Sequence, residues 1–290
     1  KAKEIFLKCS KIFPERVYVD FKLSDMIDYT IDDTHQKIML NKLEKLNLNF
    51  RQKAFICKAI AKSFEDKKDY DQAYKFFKKF NEMRNKTIDK DIALNEEKKF
   101  IKIKRTFLKI ISSNLNIESK TNKKIIFIVG LPRSGTTLVH QLIDTSKEID
   151  GLGESSILDK NFSNLLKDNF NDSNSLLKVG RNIIDEYNIS SSKKIIVDKL
   201  PINFYWIGFI KLMFPSSKVI HVNRNLKDVF LSLYKNSFGN YQMDWCYNEK
   251  NILSFYIFST AQNYSLRITK MLDMIFNRMI LIYVVVIIYC

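Results

Sequence analysis

The chain has 290 residues, 46% of them hydrophobic, and a formal net charge of +16. That is enough for one large domain or two smaller ones with a sizeable buried core. The basic excess attracts anions, whether nucleic acid, a membrane surface or phosphorylated small molecules. Lys, Asn and Ile are abundant throughout, however, and no Lys/Arg run forms a dedicated nucleic-acid arm, so compositional bias with a solvated surface is the preferred reading. No nucleic-acid partner is expected.

The sequence opens at Lys1 rather than Met, which implies a missing or processed N-terminus, and Ile5-Phe6-Leu7 is too short an apolar run for a signal peptide. Cys9, Cys57, Cys246 and Cys290 are far apart, and His35, His140 and His221 lack ligand spacing. Neither a disulfide framework nor a metal site is expected, and a reducing, cytoplasmic setting fits. His221 lies in an apolar strand-like run, where a core role is the safer reading.

The first 120 residues or so read as helical. The segment Gln36–Leu46 is a candidate helix. Asn49–Arg84 reads as a helix–turn–helix. Its first helix places Ala54, Cys57, Ala61 and Phe64 on one face, and its second places Tyr70, Ala73, Phe77 and Phe80 on another, at amphipathic spacings. Glu65–Asp69 is the polar turn between them. Phe64, Tyr70, Ala73 and Phe77 stand where a tetratricopeptide repeat (TPR) has its pattern residues, and the block resembles one such repeat; a plain helical hairpin is the alternative. Asp91–Ser113 is a further helix, with Phe100, Ile103, Phe107 and Ile110 on one face. Ser112–Lys124 is polar and reads as a linker, which puts the expected boundary between a region 1–120 and a domain 121–290.

After the linker the period changes. Ile125–Val129, Ile195–Val197 and Lys218–Val222 are short β-branched runs of the kind found in buried parallel strands, separated by helical stretches. The expected fold is therefore α/β, a P-loop-like parallel sheet flanked by helices and preceded by an all-α, TPR-like region. The first strand runs into Gly130-Leu131-Pro132-Arg133-Ser134-Gly135-Thr136-Thr137, and Thr136–Thr145 can begin a helix. Such a loop directs backbone N–H groups and a helix N-terminus at one point and favours an anion there. Gly130 and Gly135 permit tight turns, while Ser134, Thr136 and Thr137 add hydroxyls and Arg133 adds a planar cation. A nucleoside-triphosphatase loop needs Lys where Thr136 stands, which weakens that reading.

At these residues the chain resembles the sulfotransferase family, whose equivalent loop holds the 5′-phosphosulfate of 3′-phosphoadenosine-5′-phosphosulfate (PAPS). Val222–Ser232 resembles the family's 3′-phosphate segment, with Arg224 and Ser232 at its spacing of eight. Asn225 can cap the helix that follows. Gly151-Leu152-Gly153-Glu154 and Val197-Asp198-Lys199-Leu200-Pro201-Ile202-Asn203-Phe204 resemble segments of TPR-containing bacterial sulfotransferases and of the related tyrosylprotein sulfotransferases. The resemblance covers about Asn49 to Asn251. It implies PAPS as co-substrate, Glu154 as general base taking the acceptor proton, and Lys199 and Arg133 as stabilisers of charge on the transferred sulfuryl group. Arg133, Ser134, Gly135, Thr136, Thr137, Arg224 and Ser232 are then the nucleotide contacts. A sulfuryl group carries less charge than a phosphoryl group, so Lys and Arg can replace magnesium.

Alternatives stay open for several of these residues. Glu154 as a solvated carboxylate and Lys199 as a surface salt bridge are the plain readings. Asp198 is read as a structural or Lys-orienting group in preference to a magnesium ligand. Tyr205, Trp206 and Phe209 read as core rather than as pocket lining. From Phe255 onward the sequence departs from the family, whose cap loop is missing, so the domain is expected to be C-terminally incomplete. Met279–Cys290 is twelve apolar residues, short of the ~20 of a membrane helix, and suits a buried strand or out-of-frame sequence. No membrane span is expected. The competing functions are a P-loop kinase or triphosphatase and a non-catalytic scaffold whose helices bind a protein partner; the sulfate acceptor is open.

Overall fold

A computed structural model describes residues 1–88, 91–112, 120–167, 173–239, 241–257 and 281–285. The chain forms two compact units, Lys1–Ala93 with Leu231–Ile252, and Leu94–Phe230 with Leu253–Cys290.

The first unit is helical: α1 (Ala2–Ile12), α2 (Val17–Ser24), α3 (Thr34–Lys45), α4 (Phe50–Asp66) and α5 (Tyr70–Asn85). A capping box starts α4, with Asn49 Oδ1 accepting from Gln52 N at 2.9 Å and Gln52 Oε1 accepting from Asn49 N at 3.0 Å. Asp69 caps α5 through Gln72 N. Ala54, Cys57, Ala61, Ala73, Phe77 and Phe80 are all buried, as the helical spacing implies. Tyr70 is not. It opens α5 directly after its cap and is 64% exposed, and Phe64 of α4 is half-buried.

Residues 231–252 return to this unit, a long-range association that no local pattern signals. Three side chains near the end of α5 hold them: Asn81 Nδ2 donates to Tyr234 O at 2.9 Å, Asn85 Nδ2 donates to Tyr247 O at 2.6 Å, and Arg84 pairs with Asp244 at 3.4 Å.

A buried polar cluster ties the first three helices. Asp20, fully buried in α2, accepts from Ser10 Oγ of α1 at 2.5 Å, from Lys42 Nζ of α3 at 2.8 Å, and pairs with His35 Nε2 at 3.2 Å. His35 Nδ1 in turn meets Tyr29 OH at 2.7 Å. Burial pushes the Asp20 carboxyl up, but the hydrogen bonds from His35, Lys42 and Ser10 outweigh it and hold the carboxyl below its ordinary value. Removing one member strands a charge in the interior. Lys42→Met is expected to destabilise this unit by about 3–5 kcal/mol in urea unfolding; an unchanged midpoint would contradict the ion-pair account.

The second unit begins with α6 (Ile92–Ser112), whose Ile103 and Ile110 are buried and whose Phe107 packs on Phe209 at 5.8 Å between centroids. The rest alternates strands and helices: β1 (Lys124–Gly130), α7 (Thr136–Asp144), β2 (Ile149–Gly151), α8 (Ile157–Lys167), α9 (Ser173–Ser190), β3 (Ile195–Lys199), α10 (Ile207–Met213), β4 (Lys218–Asn223), α11 (Leu226–Tyr234) and β5 (Leu281–Val285). The five strands are parallel, in the order β2-β3-β1-β4-β5. β1, β3 and β4 are the three strands read from the β-branched runs, and β5 lies within Met279–Cys290, for which a buried strand is one of two readings. β2, Ile149-Asp150-Gly151, has only one β-branched residue and so carries no strand signal. Of the linker reading, residues 113–119 lie outside the described residues, as do 258–280 and 286–290 of the C-terminal segment.

Phe127, Ile128, Val129, Ile196 and Val197 are buried in the sheet, where Ile128, Val197, Ile220 and Val222 pack with Val139 of α7. Tyr205, Trp206 and Phe209 are core, at 3%, 0% and 1% exposure. Each ring's polar handle is satisfied inside the unit: Tyr205 OH donates to Glu96 and Trp206 Nε1 to Asp159.

Candidate functional site

In a parallel sheet, ligands bind beyond the carboxyl ends of the strands, where the strand order reverses. That point is β1. The chain goes from β1 to β2 and β3 on one side and then crosses to β4 on the other. Every segment singled out in the sequence lies at that edge: Gly130–Thr137 after β1, Glu154 after β2, Asp198-Lys199 ending β3, and Arg224 after β4.

The loop after β1 has a constrained backbone. A Cβ on Gly130 would stand 2.5 Å from Val222 O of the neighbouring strand, so only glycine fits there. Gly135, the N-cap of α7, has φ 104°, which favours glycine. Arg133 also lies in the left-handed region, at φ 71°, an uncommon state for a side-chain-bearing residue and one concentrated at functional loops. Ser134 and Thr136 are buried while Arg133 and Thr137 face solvent. The Ser134 hydroxyl is buried with no hydrogen-bond partner, although its backbone N–H donates to Leu131 O at 3.1 Å. A buried donor beside the start of a helix, left without an acceptor, fits an anion such as a phosphate or sulfate.

The structure brings Lys199, Glu154 and Thr137 together. Lys199 is 5% exposed, and its Nζ donates to Glu154 Oε1 at 2.8 Å and to Thr137 Oγ1 at 3.5 Å. Its backbone N–H donates to Gly153 O, and Leu152 N–H donates to Val197 O, so the Glu154 segment is stitched to the end of β3. Glu154 itself is 63% exposed. Lys199 is thus a buried cation paired with a surface carboxylate. Arg224 pairs with Asp228 at 3.4 Å, and Asn225 Oδ1 caps α11 through Lys227 N at 2.9 Å. Ser232 lies half-buried, eight residues beyond Arg224, in α11.

The roles of four residues escaped sequence reasoning. Asp144, the last residue of α7, accepts from Gly151 N at 2.8 Å and so fixes the start of the segment carrying Glu154. His140 lies one turn earlier on that helix; burial, aided by the charge of Lys199, holds its pKa below the ordinary value. Tyr187 of α9 is fully buried and donates to Asp198 Oδ2 at 2.6 Å, while Asn203 Nδ2 donates to Asp198 Oδ1 at 3.0 Å. No periodicity signals a long-range hydrogen bond of this kind. These contacts support the structural reading of Asp198: both of its oxygens are engaged by protein donors at the base of the Lys199 strand end.

The sequence pattern of the sulfotransferase family matches residues 126–277. The chain belongs to the sulfotransferase family. Its sequence is 30% identical over 259 residues to an uncharacterized protein of Aquifex aeolicus (strain VF5), a match over 82% of this chain and 33% of that protein. The chain therefore spans a third of that relative's length. Among solved structures it is similar to sulfotransferase STF1 from Mycobacterium tuberculosis H37Rv, with 13% identity and a TM-score of 0.33 over 76% of this chain and 74% of that one.

Burial raises the Asp198 pKa to about 7 from an ordinary 3.8, against the lowering effect of its hydrogen bonds. The folded chain therefore keeps this proton at pH values where the unfolded chain has lost it, and stability falls as pH rises between those two values. Relative to Asp198→Asn, the wild-type protein is expected to lose stability from pH 4 to pH 7, by up to about 1.4 kcal/mol per unit. A difference independent of pH in paired denaturation curves would contradict a buried, protonated Asp198.

Proposed function

We propose that this chain is a PAPS-dependent sulfotransferase acting on an acceptor hydroxyl. The observation that carries the reading is the buried Lys199 ammonium, held between Glu154 and the Thr137 hydroxyl at the end of a glycine loop, in a chain of the sulfotransferase family. PAPS, when bound, supplies the activated sulfuryl group. The backbone amides of the loop, with Ser134, Gly135, Thr136 and Thr137, hold its 5′ end, and Arg224 and Ser232 hold its 3′-phosphate. The orphaned Ser134 hydroxyl supports the first of these assignments. Lys199 and Arg133 stabilise negative charge at the reacting end, which is where preorganised cations lower a barrier most. Glu154 is the general base, exposed enough to meet an acceptor and oriented by Lys199; a base of this kind contributes about 10²–10⁴-fold. The paired helices α4 and α5 are proposed as a tetratricopeptide-type repeat that offers a protein-binding face, with Ala61 and Ala73 allowing close approach.

The test is calorimetric titration with adenosine 3′,5′-bisphosphate in the absence of magnesium, beside ADP and an Arg224→Ala variant. Tight binding of the bisphosphate, weaker binding of ADP and loss in the variant are expected. Equal binding of both nucleotides, or binding only with magnesium, favours a nucleoside triphosphatase and overturns the reading. Glu154→Gln is expected to retain bisphosphate affinity and to lower sulfuryl transfer by at least about 10²-fold; unchanged turnover removes Glu154 from the mechanism.

A further inference from the structure

The helical unit contains a cavity of about 460 Å³ that the nucleotide reading does not use. Its aromatic wall comes from α2 and α4. Phe21 and Phe55 stack at 5.3 Å between centroids, and Tyr18 meets Phe55 edge-on at 5.1 Å. Cations surround this wall. Lys22 Nζ lies 5.5 Å from the Tyr18 ring and 5.2 Å from that of Phe21, and the Arg51 guanidinium lies 5.9 Å from Phe55. Arg84 lines the same cavity.

The charge there is unbalanced. Asp244 is the one carboxylate on the cavity wall among the described residues, and Arg84 already pairs with it at 3.4 Å. Even so, Arg84 Nε is buried with no hydrogen-bond partner. Among the described residues neither Lys22 nor Arg51 forms an ion pair. Burial pushes the Asp244 carboxyl up, with Arg84 opposing, so its own charge is the costly one in this setting. A concave site of this volume suits a small organic molecule. Rings on its wall recognise a flat apolar body, and unpaired guanidinium and ammonium groups recognise an anion attached to that body.

We propose that this cavity binds a planar aromatic anion, a ring bearing a sulfate, carboxylate or phosphate, at a site built from α2, α4 and the end of α5. The rings supply stacking area, Lys22 and Arg51 supply the charge, and the unpartnered Arg84 Nε–H supplies a donor. A neutral ring lacks the second contribution, and a bare inorganic anion lacks the first.

The probe is 2-naphthyl sulfate, titrated calorimetrically into the whole chain beside 2-naphthol and inorganic sulfate. Saturable binding of the naphthyl sulfate is expected, with both controls roughly tenfold weaker or worse. Lys22→Gln and Arg51→Gln are each expected to weaken it several-fold without changing the unfolding midpoint, and Phe55→Leu, which keeps an apolar filler, to weaken it by removing the ring. Affinity unaffected by all three substitutions overturns the proposal. So does equal affinity for 2-naphthol, which indicates plain apolar partition. A titration repeated with saturating adenosine 3′,5′-bisphosphate separates this site from the nucleotide site: retained affinity is expected, and full competition shows that the probe occupies the nucleotide site instead. Failure of the bisphosphate itself to bind leaves the naphthyl sulfate result standing, because the two readings rest on different residues.

Discussion

The placement of one buried ammonium governs the candidate site. Lys199 ends β3, with its side chain withdrawn from solvent and its Nζ shared between Glu154 and Thr137. A buried cation is tolerable only with anionic or polar partners around it. That requirement draws the end of β3, the segment after β2 and the first turn of α7 to a common point. The glycine loop follows the same constraint from the other side: Gly130 lies so close to Val222 O that β1 and β4 leave no room for a side chain between them. An anion arriving at this edge meets a buried, unpartnered hydroxyl and a buried cation.

Beneath that edge lies a second tier of polar contacts. Tyr187 and Asn203 engage both oxygens of Asp198, the residue next to Lys199, and Asp144 holds Gly151 ahead of Glu154. Preorganisation of this sort is what electrostatic catalysis depends on, since dipoles fixed in advance need not reorganise as charge develops.

Much of this was legible in the sequence, for physical reasons. Short runs dominated by β-branched residues announce buried parallel strands, so β1, β3 and β4 are readable, and Gly130 with Gly135 marks the loop between β1 and α7. The helical faces of α4 and α5 follow from spacing, except at Tyr70, which opens α5 exposed, and at Phe64, which is half-buried. What stayed hidden depends on contacts between distant residues. Asp198 with Tyr187, Asp20 with Lys42, and Asn81 with the Tyr234 carbonyl are chosen by the folded geometry and leave no periodic mark. The short β2 is hidden for a different reason: Ile149-Asp150-Gly151 holds a single β-branched residue, whereas Ile195-Ile196-Val197 is apolar throughout.

The account rests on the glycine loop and Lys199 forming one anion site with Glu154 beside it. A crystal structure with adenosine 3′,5′-bisphosphate bound tests this most directly. The account predicts the 5′-phosphate on the amides of Ser134–Thr137, with the Ser134 hydroxyl donating to it and Lys199 Nζ within hydrogen-bond reach. A 5′-phosphate bound elsewhere, with the Ser134 hydroxyl still unpartnered and Lys199 still engaged only by Glu154 and Thr137, would contradict it.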